Sequence, residues 1–111
     1  MSKDPKILFE HILESIEWIE KDINSMEEDE FFKNVPIQDA VIRRFEIIGE
    51  AVRNLPQEIK NENPQAPWLN IADMGNKLIH EYFEVDLELV WEVIKKDLPS
   101  FKKQIKGLLE N

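Results

Sequence analysis

The short stretch "NKLIHEY" holds four side chains that could act together on a phosphodiester: Asn76, Lys77, His80 and Tyr82. Asn76 and His80 are four residues apart and therefore share a face of any helix that spans them. An imidazole can move the proton of a ribose 2′-hydroxyl, and a cation can stabilise the charge that develops on the phosphate. The alternative is a structural histidine near a helix end that caps carbonyl groups or packs against Trp91. The residue types alone leave both interpretations open.

Other catalytic arrangements have little support in this sequence. The three glycines are isolated from one another, which excludes a glycine-rich phosphate loop, and no serine lies in a triad-like setting. His80, Glu84 and Asp86 could be imagined as metal ligands, because a histidine and a carboxylate four residues apart share a helix face. However, the chain has only one other histidine, and no HxxxH or ExxH pattern accompanies the three. We therefore predict neither a metal site nor a cofactor.

Composition limits the class of protein. The 111 residues are enough for one domain with a single core, so residues 1–111 are predicted to form one unit. The absence of cysteine favours a reducing cytoplasm, and no apolar run approaches the length of a membrane span or of a signal peptide. The net charge of −9 argues against electrostatic coating of nucleic acid but is compatible with a local basic cleft.

The residues that could do chemistry must be positioned by helices, because apolar residues recur at steps of three and four along most of the chain. The segments at residues 26–36 and 57–68 interrupt this pattern and are predicted to be connectors with at most a short helix. Longer helices are predicted from Pro5 to Ile23, from Pro36 to Leu55, from Pro67 to about His80 or Tyr82, from an Asp86 N-cap to Leu98, and from Phe101 to Leu108. The predicted fold is all-α, an antiparallel bundle of about four to five helices.

Two blocks of the sequence resemble a known family. "DAVIRRFEIIGEAVRNLP" and "PWLNIADMGNKLIHEYFEVDLELVWEVIKKDLPSF" are similar to the HepT toxins of the HEPN superfamily, and the resemblance spans roughly residues 5–110. It implies a homodimer of HEPN-like helical bundles that cleaves RNA without a metal at a cleft between the subunits. It also implies a partner, an MntA-type minimal nucleotidyltransferase antitoxin, which silences the toxin by transferring AMP from ATP to a tyrosine.

The resemblance assigns roles to individual residues. His80 matches the catalytic histidine of the family, and Tyr82 matches the tyrosine that accepts AMP. Asn76 matches the polar residue after the motif arginine, and Arg43 matches an arginine of the long helix near the cleft. The sequence departs from the family at Gly75, which stands where the catalytic arginine is expected.

Three explanations for Gly75 remain open. It is an inactivating change, or a natural variant in which Lys77, Arg43 or Arg44 takes over the cationic role in RNA binding, or a structural glycine that lets helices approach closely at the dimer interface. The first and third predict no ribonuclease activity, and the second predicts weak activity. The sequence is therefore compatible with a toxin ribonuclease and, alternatively, with a catalytically silent protein that binds a nucleotidyltransferase.

Several residues are also given structural interpretations. Gly49 is predicted to be a close-packing position where another helix crosses. At least one of Arg43 and Arg44 is predicted to pair with acids of the first helix. The three tryptophans, Trp18, Trp68 and Trp91, are predicted to be core or interface anchors.

Overall fold

The computed structural model describes residues 4–80 and 85–110, with the side chains at 78–80 excepted. These residues form helices and no strand, as predicted. The helices are α1 (Pro5–Asp22), α2 (Glu28–Lys33), α3 (Val35–Asn54), α4 (Gln57–Glu62), α5 (Trp68–His80), α6 (Leu87–Lys96) and α7 (Leu98–Glu110). The five long helices are those that the periodicity predicts, and the six-residue helices α2 and α4 occupy the two predicted connectors.

Side chains placed at the helix starts explain several of these boundaries. The carboxylate of Asp86 accepts a hydrogen bond from the backbone N–H of Leu89 at 3.1 Å, which confirms the predicted N-cap of α6. The side chain of Asn34 caps α3 in the same way, accepting from the N–H of Ile37 at 3.1 Å. Pro99 lies in the first turn of α7, where its missing N–H leaves no helical hydrogen bond unmade.

Helix α3 is the centre of the fold. It packs most extensively against α5 and α1, and α1 in turn packs against α7. The largest fully buried side chains come from α1, α2, α3, α5 and α7, and they include Phe31, Phe45, Phe101, Leu8, Ile12, Ile48 and Ile71. Burial of these side chains is the main favourable contribution to folding, and it holds α5 in place against α3.

Two glycines meet where α3 and α5 cross. A Cβ atom at Gly75 would lie 3.0 Å from the Cα of Gly49 and 3.0 Å from the carbonyl oxygen of Phe45. A Cβ atom at Gly49 would lie 3.1 Å from the Cα of Gly75, so the close-packing role predicted for Gly49 is confirmed. Further along α3, Arg53 contacts the carbonyl of Ala72, which precedes Gly75 on α5. The two helices are therefore antiparallel.

The tryptophans have different environments. Trp68 is 7% exposed, donates from Nε1 to the carbonyl of Asn63 at 2.9 Å, and makes an edge contact with Phe101, so it fixes the start of α5. Trp91 is partly buried. Trp18 is 41% exposed and is not a core residue, and its role at an interface stays a prediction. Within the described ranges, no helix combines the length and the apolar character needed to cross a membrane.

Candidate functional site

A groove of about 710 Å³ runs along the first part of α5, between the end of α3, α4 and the connector that follows α4. We call it the Asn76 groove. Its apolar lining comes from the segment 64–69 and Ala72. Its polar lining consists of two cations, three amides and one carboxylate: Arg53, Lys60, Gln57, Asn70, Asn76 and Asp73. A groove with this composition suits an extended anionic ligand that also has flat apolar parts.

One face of α5 forms a wall of the Asn76 groove. Leu69, which is 72% exposed, Asp73 and Asn76 follow each other at steps of four and three and therefore lie in one stripe. The backbone of α5 stays helical to His80, and position 80 continues this stripe one turn after Asn76. The His80 side chain and Tyr82 lie outside the described part of the structure, so their predicted roles stay predictions.

Gly75 does not face the groove. It lies about 100° around the helix from Asn76, on the side of α5 that contacts α3. A side chain at position 75 would start against the backbone of Gly49 and Phe45, so an arginine there would be directed into the helix crossing. Of the three explanations for Gly75, this contact supports the packing part of the structural one, which is a close approach of two helices; the loss of activity that this explanation also predicts is tested separately below. The approaching helix is α3 of the same chain rather than a partner at a dimer interface.

The two arginines predicted to bind RNA from the long helix make contacts away from the groove. Arg43 is exposed and pairs with Glu46 of the same helix at 3.4 Å. The guanidinium of Arg44 lies 5.5 Å from the ring centroid of Trp18 on α1. In the described part of the chain neither arginine has an ion pair with an acid of α1, so that structural prediction is wrong.

The register of the α3–α5 crossing nevertheless brings these arginines towards the end of α5. Starting from Gly49 and Gly75, five residues along either helix amount to about 7.5 Å. Because the helices are antiparallel, His80 and Arg44 lie on the same side of the crossing, each five residues from its glycine. Lys77 is exposed one turn before His80. The RNA-binding role of these cations stays a prediction.

Two cations of the groove, Arg53 and Lys60, are not among the site residues that the sequence predicts. Arg53 Nη1 donates to the carbonyl oxygen of Ala72 at 3.3 Å, and Nη2 pairs with the carboxylate of Glu50 at 2.9 Å. The sequence offers two signals for Arg53: it lies close to Arg43 and Arg44, and it follows Glu50 by three residues, which is typical of a surface ion pair. The position of Arg53 on the groove depends on the close approach of α3 to α5.

Comparisons with known proteins agree with the motif blocks. The model of a family described as "Ribonuclease HepT-like" matches residues 12–108. A protein of Methanocaldococcus jannaschii named "Gamma-glutamylcyclotransferase and putative RNase" is 52% identical over 110 residues, which are 99% of this chain and 50% of that protein. The chain thus spans about half the length of this relative. A "Probable ribonuclease HepT" of Thermococcus cleftensis is 41% identical over 97% of this chain and 98% of its own length. No solved structure matches the chain significantly.

Because the family model covers most of the chain, this protein belongs to the ribonuclease HepT-like family of the HEPN superfamily.

Proposed function

We propose that this chain is the ribonuclease toxin of a toxin–antitoxin pair, active as a homodimer and silenced by a nucleotidyltransferase antitoxin that transfers AMP to Tyr82. One observation carries the ribonuclease part: Asn76, a member of the family motif, lines a groove that contains Arg53 and Lys60. Position 80 lies on the same helix face, one turn after Asn76. The names of the relatives support the same activity.

The proposed chemistry is an internal transfer within the RNA strand. His80 accepts the proton of a ribose 2′-hydroxyl, and the 2′-oxygen forms a bond to the adjacent phosphorus. The bond from that phosphorus to the 5′-oxygen of the next nucleotide breaks, and this oxygen takes up a proton. The products are a 2′,3′-cyclic phosphate and a 5′-hydroxyl. Asn76, one turn before His80, would donate a hydrogen bond to the phosphate oxygens, whose negative charge increases in the transition state.

The test is incubation of the purified chain with end-labelled single-stranded RNA in the presence of EDTA. We expect fragments that end in a cyclic phosphate, and we expect none when the 2′-hydroxyls are replaced by hydrogen. Intact RNA after prolonged incubation at high protein concentration would contradict the ribonuclease proposal.

The second candidate is a catalytically silent protein that binds a nucleotidyltransferase. The packing of Gly75 favours this second candidate. The position of the motif arginine carries no cation, and α3 packs against it too closely to leave room for a side chain. Intact RNA in the cleavage test, together with formation of a stable complex with the nucleotidyltransferase, would support this candidate.

AMP transfer makes a separate prediction about Tyr82. The phenolic oxygen would attack the α-phosphorus of ATP, the bond to the pyrophosphate oxygen would break, and the phenolic proton would leave with a base or the solvent. After incubation with the cognate nucleotidyltransferase and ATP, we expect an intact mass increased by one AMP group, located on the peptide that contains Tyr82. Tyr82→Phe should stay unmodified, because it lacks the attacking oxygen. Modification of Tyr82→Phe to the same extent would place the acceptor elsewhere.

A further inference from the structure

The guanidinium of Arg53 lies across the crossing of α3 and α5. Its Nη1 atom bonds to the carbonyl of Ala72 at 3.3 Å, and this atom would be only 3.4 Å from a Cβ at Gly49. The guanidinium therefore lies directly beside the crossing of the two glycines. The same close approach that excludes a side chain at Gly75 brings a cation of α3 to the edge of the Asn76 groove.

This guanidinium retains the capacity to bind an anion. Two of its five N–H donors are used, by Ala72 and by Glu50, within the described part of the chain. Its pair with Glu50 is exposed, with 36% of the Arg53 side chain and 51% of the Glu50 side chain accessible, and exposed pairs of this kind contribute little net stability. A phosphate can therefore compete for the remaining donors, and the planar guanidinium fits two phosphate oxygens at once.

The position of Arg53 along the groove defines which phosphate it would contact. Ala72, to which Arg53 is bonded, precedes His80 by eight residues of α5, or about 12 Å of helix. At this separation a phosphate bound to Arg53 lies nearer to Ala72 than to the backbone of His80, which favours a phosphate next to the scissile one. We infer that Arg53 binds a phosphate that neighbours the scissile one and holds the RNA strand along the Asn76 groove towards His80. This inference rests on the proposed ribonuclease function.

Other groove residues fit the same ligand. Lys60 provides a second cation from α4, and the side-chain amides of Gln57 and Asn70 can bond to phosphate or to base edges. The exposed side chain of Leu69 offers an apolar surface for a base. The ligand class is thus single-stranded RNA, recognised at its backbone on a site that extends beyond the cleaved bond.

The first experiment measures binding without cleavage. The probe is a fluorescent single-stranded RNA with 2′-O-methyl groups, and its Kd is measured by anisotropy at several salt concentrations. We expect Arg53→Ala to raise Kd about tenfold at low salt and to reduce the slope of log Kd against log salt by about 0.7. Arg53→Lys should restore most of the slope and only part of the affinity, because it keeps the charge and loses the paired donors.

Lys96→Ala is the matched control, since Lys96 also forms an exposed ion pair within one helix, with Glu92 at 3.2 Å, but lies on α6 outside the groove lining. It should leave Kd and slope unchanged. If the parent protein binds and Arg53→Ala retains its Kd and salt slope, the inference is wrong while the ribonuclease proposal stands. If the parent protein does not bind this RNA, both fail.

A second experiment separates strand positioning from chemistry. On a cleavable oligonucleotide, Arg53→Ala should raise KM about tenfold with little change in kcat. On a dinucleotide, which has only the scissile phosphate, the increase in KM should be smaller. A loss confined to kcat, of equal size on both substrates, would overturn the assignment to a neighbouring phosphate.

A third variant tests the link to the glycine. Gly49→Ala adds a Cβ 3.1 Å from the Cα of Gly75 and should weaken RNA binding by moving α5, with the Ala72 carbonyl, away from Arg53. In the Arg53→Ala background the same change should have no further effect on Kd, because the residue through which it acts is gone. Additive effects in the double variant would contradict a role for Gly49 in positioning Arg53.

Discussion

Gly75→Arg should lower the free energy of unfolding by about 1–3 kcal/mol and should not increase ribonuclease activity, although it restores the arginine that the family motif expects. The reason is the helix crossing. A Cβ atom at position 75 meets the Cα of Gly49 and the carbonyl oxygen of Phe45 at 3.0 Å, and both are backbone atoms that move only if α3 moves. The rest of an arginine side chain adds to this strain and brings a second cation near Arg53.

Alanine substitutions isolate the packing contribution at Gly75. In an unobstructed helix, replacing glycine by alanine raises stability by about 0.5–1 kcal/mol. Gly107 is such a position, because a Cβ there would have no atom within 4 Å in the described structure, so Gly107→Ala should show this gain. Gly75→Ala should give a smaller gain or a loss, because the separation of α3 and α5 offsets the helix propensity.

The measurement is denaturant unfolding of the four proteins, with thermal melts as a second probe. A difference of 1 kcal/mol corresponds to about 4–8 °C in Tm for a domain near this size. Equal gains from Gly75→Ala and Gly107→Ala would contradict the close contact. A stable Gly75→Arg variant with faster RNA cleavage would instead support Gly75 as an inactivating change.

His80→Ala should reduce the rate of RNA cleavage by about 10²–10⁴ while leaving the Kd for non-cleavable RNA nearly unchanged. Removal of the imidazole abolishes proton transfer from the 2′-hydroxyl but leaves Arg53, Lys60 and the amides of the groove in place. Single-turnover cleavage measures the rate, and the anisotropy assay measures binding.

The only other histidine provides the control. His11 is exposed on α1, a helix that contributes no residue to the lining of the Asn76 groove, so His11→Ala should cleave RNA at the parent rate. Thermal melts of both variants show whether the fold is intact. If His80→Ala and His11→Ala cleave equally fast, His80 is not the general base, and the family motif does not describe the chemistry of this chain.

A cation at Arg53 and a cation at the position of the motif arginine would act on different phosphates of the RNA. A cation that binds a flanking phosphate orients the strand and lowers KM, whereas a cation on the scissile phosphate stabilises the transition state and raises kcat. Arg53 would therefore not replace the function of an arginine at position 75. A chain with Arg53 and without that arginine should therefore bind RNA well and cleave it slowly.

The helices of this protein follow from the sequence alone. The signals that define the helices act within a few residues of one another. They are the apolar spacing, the prolines and the capping side chains of Asn34 and Asp86. Local pattern is therefore sufficient to predict the five long helices. The family is likewise evident from the two motif blocks, because these are contiguous stretches of sequence.

The site needed the tertiary structure. Gly75 has three explanations in the sequence, and only its contact with Gly49 identifies it as a residue of a close helix crossing. Arg53 and Ala72 are nineteen residues apart, and their hydrogen bond exists because α3 and α5 pack closely. Periodicity predicts which face of a helix is buried, but it does not predict which helix packs on that face or how close the two backbones are. The sequence therefore determined the helices, the family and the motif residues. The close approach of α3 to α5 determined that no side chain fits at position 75 without moving α3, and that Arg53 lines the groove.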